Sequence, residues 1–552
     1  KEAPNNPKKK VQIVESVRKG SKVSQKIVRH VGVAIDDDEL EKLKLLAESI
    51  KQKLEDNGQL NIFAPEEFSK MDNVAKHIQI TEEDYQVDIR DLEEESRLTK
   101  GIHDIYGNLF EQLGFRNVIQ NPARNKSSVN IFKEIVLARI ANPISKNASV
   151  DMLEKDFGIS LNLDRVYKMM DKLNDVSIER VNDIAYNNTL ELFNNKIDVI
   201  FYDCTTIYFE SFKEDYLKEP GYSKDHKFGQ PQVLMALMVT KEGLPIGYQI
   251  FNGSKWEGDT LAPALKELRT KYNLDNIIFV ADAGMLSKDN LNKLEELEQE
   301  GFEYIVGARI KNLPKVLTEQ VLDYNNYNGD EEYKIGKFDY NGRNLIISYS
   351  KKRAKKDYHD RLKSVDKLKS KLSKNQKPKE HLKNQPFKKY LKLEGEASIS
   401  LDNERIEADA RWDGLHGVIS NCKELTNEEI LAKYTDLWQV ENAFRVTKHD
   451  LKIRPVFHWK PERVKAHFVI SFVAYSLVKY LEYRVGLQYV KMSPEKIRQT
   501  LIRVQTSIHY NKEKNIRYAL PSKIPQEAKK IYKILEIPLN TTPYILEKCS
   551  AL

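Results

Sequence analysis

Two short runs of β-branched and aromatic residues constrain this chain most, because each carries an aspartate where a charge is costly. Val199-Ile200-Phe201-Tyr202-Asp203-Cys204-Thr205-Thr206 and Ile277-Ile278-Phe279-Val280-Ala281-Asp282-Ala283-Gly284 both read as buried strands. An ionised carboxylate within or just after such a strand has to be paired or metal-bound. A third acid, Glu441, lies in the amphipathic stretch Tyr434-Thr435-Asp436-Leu437-Trp438-Gln439-Val440-Glu441-Asn442-Ala443-Phe444-Arg445, which reads as a helix. Two carboxylates from strands and one from a helix can hold two hard cations roughly 3.5–4 Å apart. That arrangement activates a water or hydroxyl and stabilises both oxygens of an in-line phosphoryl displacement.

The residues between the acids spell out a sheet. Gln232 to Thr240 and Ile246 to Asn252 read as strands joined through Lys241-Glu242-Gly243, followed by a helix from Thr260 to Tyr272 and the strand ending at Asp282. A helix from Ser287 to Glu300 and a strand from Glu303 to Ile310 complete the series. Three antiparallel strands followed by parallel strands with crossover helices give an α/β mixed sheet resembling the ribonuclease-H-like fold. In that fold the first and fourth strands are neighbours, so Asp203 and Asp282 converge, and a helix across the sheet brings back Glu441.

More chain separates Asp282 from Glu441 than closing this fold requires, so residues 311–427 are expected to form an inserted domain of mixed β and helical structure. Tyr333 to Ser350 reads as strands. Lys351 to Lys392 holds 17 Lys or Arg against four Asp or Glu, which suits either a DNA-contacting surface or a solvated helix. Residues 428–485 return to the core and 486–552 read as helical. Ahead of the core, residues 1–100 suggest a basic hairpin around Lys19-Gly20-Ser21, a helix from Asp36 to Ile50 and an acidic linker or exposed helix from Thr81 to Glu95. Residues 101–196 are helical. Ser149–Asp156, a turn at Gly158 and Leu163–Leu173 have the layout of a helix-turn-helix that would offer Asn162, Arg165 and Lys168 to a major groove. The same pair of helices also suits plain packing.

Composition narrows the choices. A chain of 552 residues exceeds one core, and its net charge of +7 says less than where the charges cluster. The three cysteines, Cys204, Cys422 and Cys549, have neither disulfide nor zinc spacing, which fits a reducing compartment; Cys204 reads as a buried thiol. The run from Ala466 to Leu477 is too short for a membrane span and reads as a core helix. Trp256, on the loop Asn252-Gly253-Ser254-Lys255-Trp256-Glu257-Gly258, is a candidate to stack on a displaced base, or to pack.

The residues around the three acids resemble the DDE transposases of bacterial insertion sequences, in the group with a long insertion before the glutamate. In that group one helix carries a tyrosine, an arginine, the catalytic glutamate and a lysine at set spacing. Here Tyr434, Glu441 and Lys448 fall in register, while Leu437 holds the arginine position; Arg445 and Arg454 follow soon after. Trp412-Asp413-Gly414-Leu415-His416-Gly417 and Arg454-Pro455-Val456-Phe457-His458-Trp459 match the group as well, and the resemblance covers most of the chain. It implies a ribonuclease-H-like catalytic core preceded by helical DNA-binding modules. It also implies binding of the element's inverted-repeat ends, hydrolysis that frees a 3′-hydroxyl, and attack of that hydroxyl on target DNA. Asp203, Asp282 and Glu441 would hold two Mg²⁺ or Mn²⁺ ions, and Tyr434 and Lys448, with Arg445 and Arg454 nearby, would meet phosphates. A homodimer on paired ends, in the bacterial cytoplasm on the nucleoid, is the expected setting. Two alternatives stand beside it: a structure-selective nuclease of the same fold, and a non-catalytic DNA-binding repressor or domesticated protein.

Overall fold

The computed structural model describes residues 9–19, 22–34, 40, 44, 81–193, 196–209, 213–221, 230–272, 277–285, 302–374, 390–394, 398–454, 456–488 and 492–548. The chain divides into two compact units, one of Lys1–Leu98 with Gln505–Lys523 and Asn540–Leu552, the other of Thr99–Val504 with Ile524–Leu539. The first unit opens with the expected hairpin: β1 (Lys9–Lys19) pairs antiparallel with β2 (Lys22–Ala34), with Lys19 opposite Lys22. Apart from Leu40 and Lys44, the helix expected over Asp36–Ile50 lies outside the described residues. The acidic segment read as a linker or exposed helix is neither. It forms two short 3₁₀ turns and then β3 (Leu92–Thr99), whose glutamates meet cations on its own unit: Glu95 with Arg517 at 2.7 Å and Glu93 with Lys512 at 2.7 Å.

In the second unit the stretch read as helical carries α1 (Lys126–Ala141), α2 (Lys146–Phe157), α3 (Leu163–Met170) and α4 (Asp175–Leu192). Three starts are capped by side chains: Ser145 accepts from the Ala148 amide, Asn162 from those of Asp164 and Arg165, and Asn174 from that of Ser177. Asn162, expected to face a groove, is therefore occupied as a helix cap. Gly158 closes α2 at φ 70°, a left-handed conformation that glycine adopts without a Cβ penalty, and turns the chain toward α3.

The sheet follows. β4 (Val199–Tyr208), β5 (Gln232–Val239) and β6 (Pro245–Asn252) are antiparallel; β7 (Ile278–Ala281) runs parallel to β4, and β8 (Glu303–Gly307) parallel to β7. α5 (Gly258–Tyr272) crosses from β6 to β7. The helix expected over Ser287–Glu300 lies outside the described residues. The insertion is mixed, as expected, yet its strands do not form a separate sheet. β9 (Asn328–Gly329), β10 (Tyr333–Tyr340) and β11 (Arg343–Ser350) lead into α6 (Lys351–Lys374), then a small hairpin of β12 (Leu391–Glu394) and β13 (Ser398–Leu401), and finally β14 (Leu415–Ser420). β14 pairs antiparallel with both β8 and β11 and so splices the insertion onto the core, giving nine strands in the order β6-β5-β4-β7-β8-β14-β11-β10-β9. An open β8 edge would leave backbone donors and acceptors unpaired, and β14 supplies their partners.

The glutamate segment forms two helices, α7 (Asn427–Thr435) and α8 (Trp438–Arg445), followed by α9 (Pro461–Gln488). α9 is long and apolar enough to cross a membrane, but 89% of its most apolar window is buried in protein, so it is the core helix expected. Side chains on β4 alternate between two cores. Tyr202 and Cys204 pack with Leu261 and Leu265 of α5, whereas Phe201 and Ile207 join a core that also holds Val440 and Phe444 of α8 and Phe132 and Val136 of α1. The C-terminal region, expected to be helical, holds the helices Pro494–Ile502 and Gln526–Ile534 and in addition β15 (Gln505–Asn511), β16 (Ile516–Pro521) and β17 (Tyr544–Lys548), which complete the sheet β17-β16-β15-β3 of the first unit. Ile516, Tyr518 and Leu520, spaced two apart, pack in one cluster with Ile545 and Leu92, which is the period of a strand and gives the physical reason.

Candidate active site

β4 and β7 are paired in parallel with Tyr202 opposite Ala281. The next residue on each is an aspartate, so Asp203 and Asp282 stand on neighbouring strands at adjacent positions, where strands lie about 4.8 Å apart. By alternation Asp203 shares the face of Phe201, over which α8 packs. It is half-buried, and its Oδ1 accepts from the Cys204 amide at 2.7 Å. Asp282 is exposed at the point where β7 ends.

α7 and α8 reach this edge through Tyr434. Its hydroxyl donates to Asp282 Oδ1 at 3.4 Å, and its ring lies 5.2 Å from that of His416 on β14. Gly307, the last residue of β8, makes room for it: a Cβ there would sit 2.3 Å from the Tyr434 hydroxyl and 2.8 Å from the Ala283 nitrogen. Burial raises the Tyr434 phenol above its ordinary range, and the Asp282 and Glu441 carboxylates push the same way, so the group keeps its proton. Burial depresses His416 to about 4, with Arg353 adding and Asp282 opposing. Glu441 is exposed on the first turn of α8.

The structure corrects the expected single helix. Tyr434 belongs to α7, the chain breaks at Asp436–Leu437, and Glu441 belongs to α8. Trp438, in the amphipathic stretch read as one helix, is 48% exposed. Beyond Arg445 the winding changes to a π turn, Val446–Asp450, so Lys448 is not on a continuous α-helical face with Glu441. Leu437, in the family's arginine position, is buried in the core.

Other candidates are placed as follows. Arg445 folds back along its own helix, donating to Asn442 Oδ1 at 2.9 and 3.1 Å with Asp450 3.6 Å away. Arg454 lies over the Tyr208 ring at 5.5 Å, at the end of β4. Trp256 is 39% exposed and lies against Gly258, where a Cβ would meet its ring at 1.8 Å. Arg165 and Lys168 are exposed on α3, Arg165 donating to Ser127 Oγ at 2.5 Å, and no described contact joins either to the carboxylates. Cys204 is buried and its thiol is pushed up to about 12 by burial, the state of a packed thiol rather than a nucleophile.

The carboxylates suit a hard divalent cation by donor type. Asp282 and Glu441 are exposed, offer only oxygen, and take part in no ion pair among the described residues. Among the described residues no three His, Cys, Asp or Glu side chains are grouped closely enough to clasp an ion as they stand.

The transposase DDE domain family matches residues 194–477, more than half of the chain and the whole span from before Asp203 to beyond Glu441. The chain belongs to the DDE transposases. The N-terminal domain of IS1634 family transposases matches residues 1–61 of the same chain. No curated protein matches the transposase by sequence. One solved structure, the Mos1 transposase paired-end complex with left transposon end, covers 48% of the transposase and 75% of its own chain at 15% identity and a TM-score of 0.14, a likeness with no bearing on its mechanism.

Two features of the transposase's site escaped the sequence reading. Arg309, two residues past β8, donates to the carbonyls of Ala283 and Gly284 at 3.0 and 3.1 Å and so brings a guanidinium to the turn beside Asp282. Its only signal was a basic residue just beyond a strand end. A cavity of about 480 Å³ opens from Asp282, Gly307 and Tyr434 into the insertion, where Trp412, Arg353 and Arg361 line it. Nothing local in the sequence announces that cavity, since its walls come from six separate segments.

Proposed function

We propose that this transposase binds the terminal inverted repeats of its insertion sequence, hydrolyses a phosphodiester to free a 3′-hydroxyl, and joins that end to target DNA at Asp203, Asp282 and Glu441. The observation that carries the reading is the β4–β7 register, which puts the two aspartates side by side under a helix bearing the glutamate. The strand order β6-β5-β4-β7-β8 supports a ribonuclease-H-like core. Two Mg²⁺ or Mn²⁺ ions held by the three carboxylates would polarise the scissile phosphate and lower the pKa of the attacking water. Tyr434, protonated throughout the neutral range, donates to an oxygen at the edge of the site, and Lys448 and Arg454 supply positive charge toward the bound strand. Arg309 provides a guanidinium where Leu437 provides none. Trp256 is a stacking surface beside the site, Arg165 and Lys168 with the basic hairpin contact the ends, and two copies assemble on paired ends in the bacterial cytoplasm.

The test uses end-labelled DNA carrying the element's terminus, with Mg²⁺ and a target plasmid. Asp203→Asn, Asp282→Asn and Glu441→Gln should each abolish cleavage while leaving gel-shift affinity within a few-fold of wild type. Normal cleavage by any one of them removes that residue from the site. Joining of a pre-cleaved 3′ end into the plasmid separates a transposase from a nuclease that cuts without strand transfer.

A further inference from the structure

Resting on the reading that this transposase binds the DNA ends of its element, we propose that Arg139, Lys146, His458 and His467 form a pocket for a phosphate oxyanion supplied by the DNA backbone. The four come from separate stretches of the second unit: Arg139 from the last turn of α1, Lys146 from the start of α2, His458 from the loop that follows the glutamate helix, and His467 from α9. That loop gathers them. Arg139 donates to the Leu451 and Lys452 carbonyls at 2.9 and 3.1 Å, and His467 Nε2 donates to the next carbonyl, that of Ile453, at 2.8 Å. In the middle of the three, Lys452 takes φ 43°, a left-handed conformation that a lysine seldom adopts, so contacts rather than local preference hold the turn. The His458 ring lies 5.6 Å from that of His467 and 6.3 Å from that of Tyr167 on α3.

These basic groups are buried without a counter-ion. Arg139, Lys146 and His467 are 5, 6 and 4% exposed. Among the described residues none of the four meets a carboxylate, and the Lys146 side chain makes no hydrogen bond. Arg139 Nε and His467 Nδ1 are buried and without a partner there as well. The Ile453 carbonyl can only accept, so Nε2 carries the proton of His467 and Nδ1 is the nitrogen left over. Burial, with Arg139 adding, holds both Lys146 and His467 well below their ordinary values, and every charge acting on His458 is a cation: Lys146, Arg139 and Arg463. Arg463 is itself paired with Asp171, at 2.6 and 2.8 Å. Basic groups gathered in this way repel one another and are costly to bury. An oxyanion reverses the sign, because its several lone pairs accept from Arg139, Lys146 and a protonated His467 Nδ1 together. Lys146 also begins α2, where the helix field favours a negative charge. On the outside Phe457 and Trp459 flank His458 and are exposed, and the buried Lys218 fixes the segment by donating to the Trp459 carbonyl at 2.8 Å. Exposed rings on either side of a phosphate suit the bases of a nucleic acid rather than a free ion.

Lys146→Met keeps most of the side chain's length and removes its amine. Full-length wild type and variant are melted in phosphate-free buffer and with inorganic phosphate, and each is titrated with a labelled duplex of the element's end over a range of salt. Without phosphate Lys146→Met should melt no lower than wild type, since an unpaired buried amine is lost, yet it should forfeit most of the rise in melting temperature that phosphate gives. Its duplex affinity should fall about tenfold, and its slope of log K against log salt by about one. Loss of the phosphate response with unchanged duplex binding overturns the DNA source and leaves a pocket for free phosphate. A wild-type protein that answers phosphate but binds no duplex overturns the end-binding reading and leaves the pocket standing. Unchanged phosphate response and unchanged duplex binding in Lys146→Met overturn the proposal. A lower melting temperature with both responses intact makes Lys146 a packing residue and overturns it too. Should Lys146→Met fail to fold, His458→Gln, at a half-buried position, is put through the same measurements. Weakened responses to phosphate and duplex support the proposal, and intact ones overturn it.

Discussion

Gly307→Ala should disable the site without touching a carboxylate. The added methyl would lie 2.3 Å from the Tyr434 hydroxyl, 3.0 Å from its Cζ and 2.8 Å from the Ala283 nitrogen, all inside van der Waals contact. The backbone at Ala283 cannot yield without shifting Asp282, and Tyr434 is packed against His416, so the strain is shared by the two groups that frame the site. Overpacking of this kind costs about 1–3 kcal/mol. The Tyr434–Asp282 hydrogen bond, at 3.4 Å, is near the long limit and adds less than about 1 kcal/mol when lost, so the steric part dominates. Urea unfolding should therefore show a loss of about 2 kcal/mol for Gly307→Ala and under about 1 for Tyr434→Phe. In the double variant the 2.3 Å contact with the hydroxyl is gone and the closest becomes the Ala283 nitrogen at 2.8 Å, so part of the loss should return, with a coupling of about 1 kcal/mol. Cleavage should fall at least tenfold in Gly307→Ala and recover partly in the double variant. Additive losses, or a Gly307→Ala protein as stable and active as wild type, would refute the contact.

Two other outcomes follow from charge. Burial holds His458 at about 3 and His416 at about 4, below the ordinary histidine value, so the unfolded chain takes up those protons first and stability is lost as pH falls from about 6.5 toward the folded values. Each histidine should cost about 2 kcal/mol between pH 6.5 and 5; a flat denaturation midpoint over that range, or no flattening in His458→Gln, would contradict the burial. On α6, Lys355, Lys356, Lys363 and Lys367 are exposed on a helix whose Val365 and Leu368 face inward; if the helix tracks DNA, replacing the four by glutamine should reduce the slope of log K against log salt by roughly three to four, and an unchanged slope would make it a solvated surface only.

Much of the chemistry was legible in the chain because it is expensive. Asp203 and Asp282 sit at apolar strands where an idle charge would be penalised, and the alternation of β4 to β8 with α5 left few ways to order the sheet, so their meeting on adjacent strands followed from local pattern and topology. Helix-turn-helix layout, the core helix α9 and the basic hairpin likewise follow from period and turn residues. What the chain could not announce depends on partners distant in sequence. The apolar spacing through Tyr434 and Trp438 runs on across Asp436–Leu437, yet packing Tyr434 against Gly307 and Asp282 breaks the helix there. The free edge of β8 could have been covered in several ways, and only the folded chain selects β14 and so merges the insertion with the core. The helices of residues 101–196 look separable by composition, but Phe132 and Val136 share a core with Phe201 of β4, because a sheet face that size needs an apolar cover.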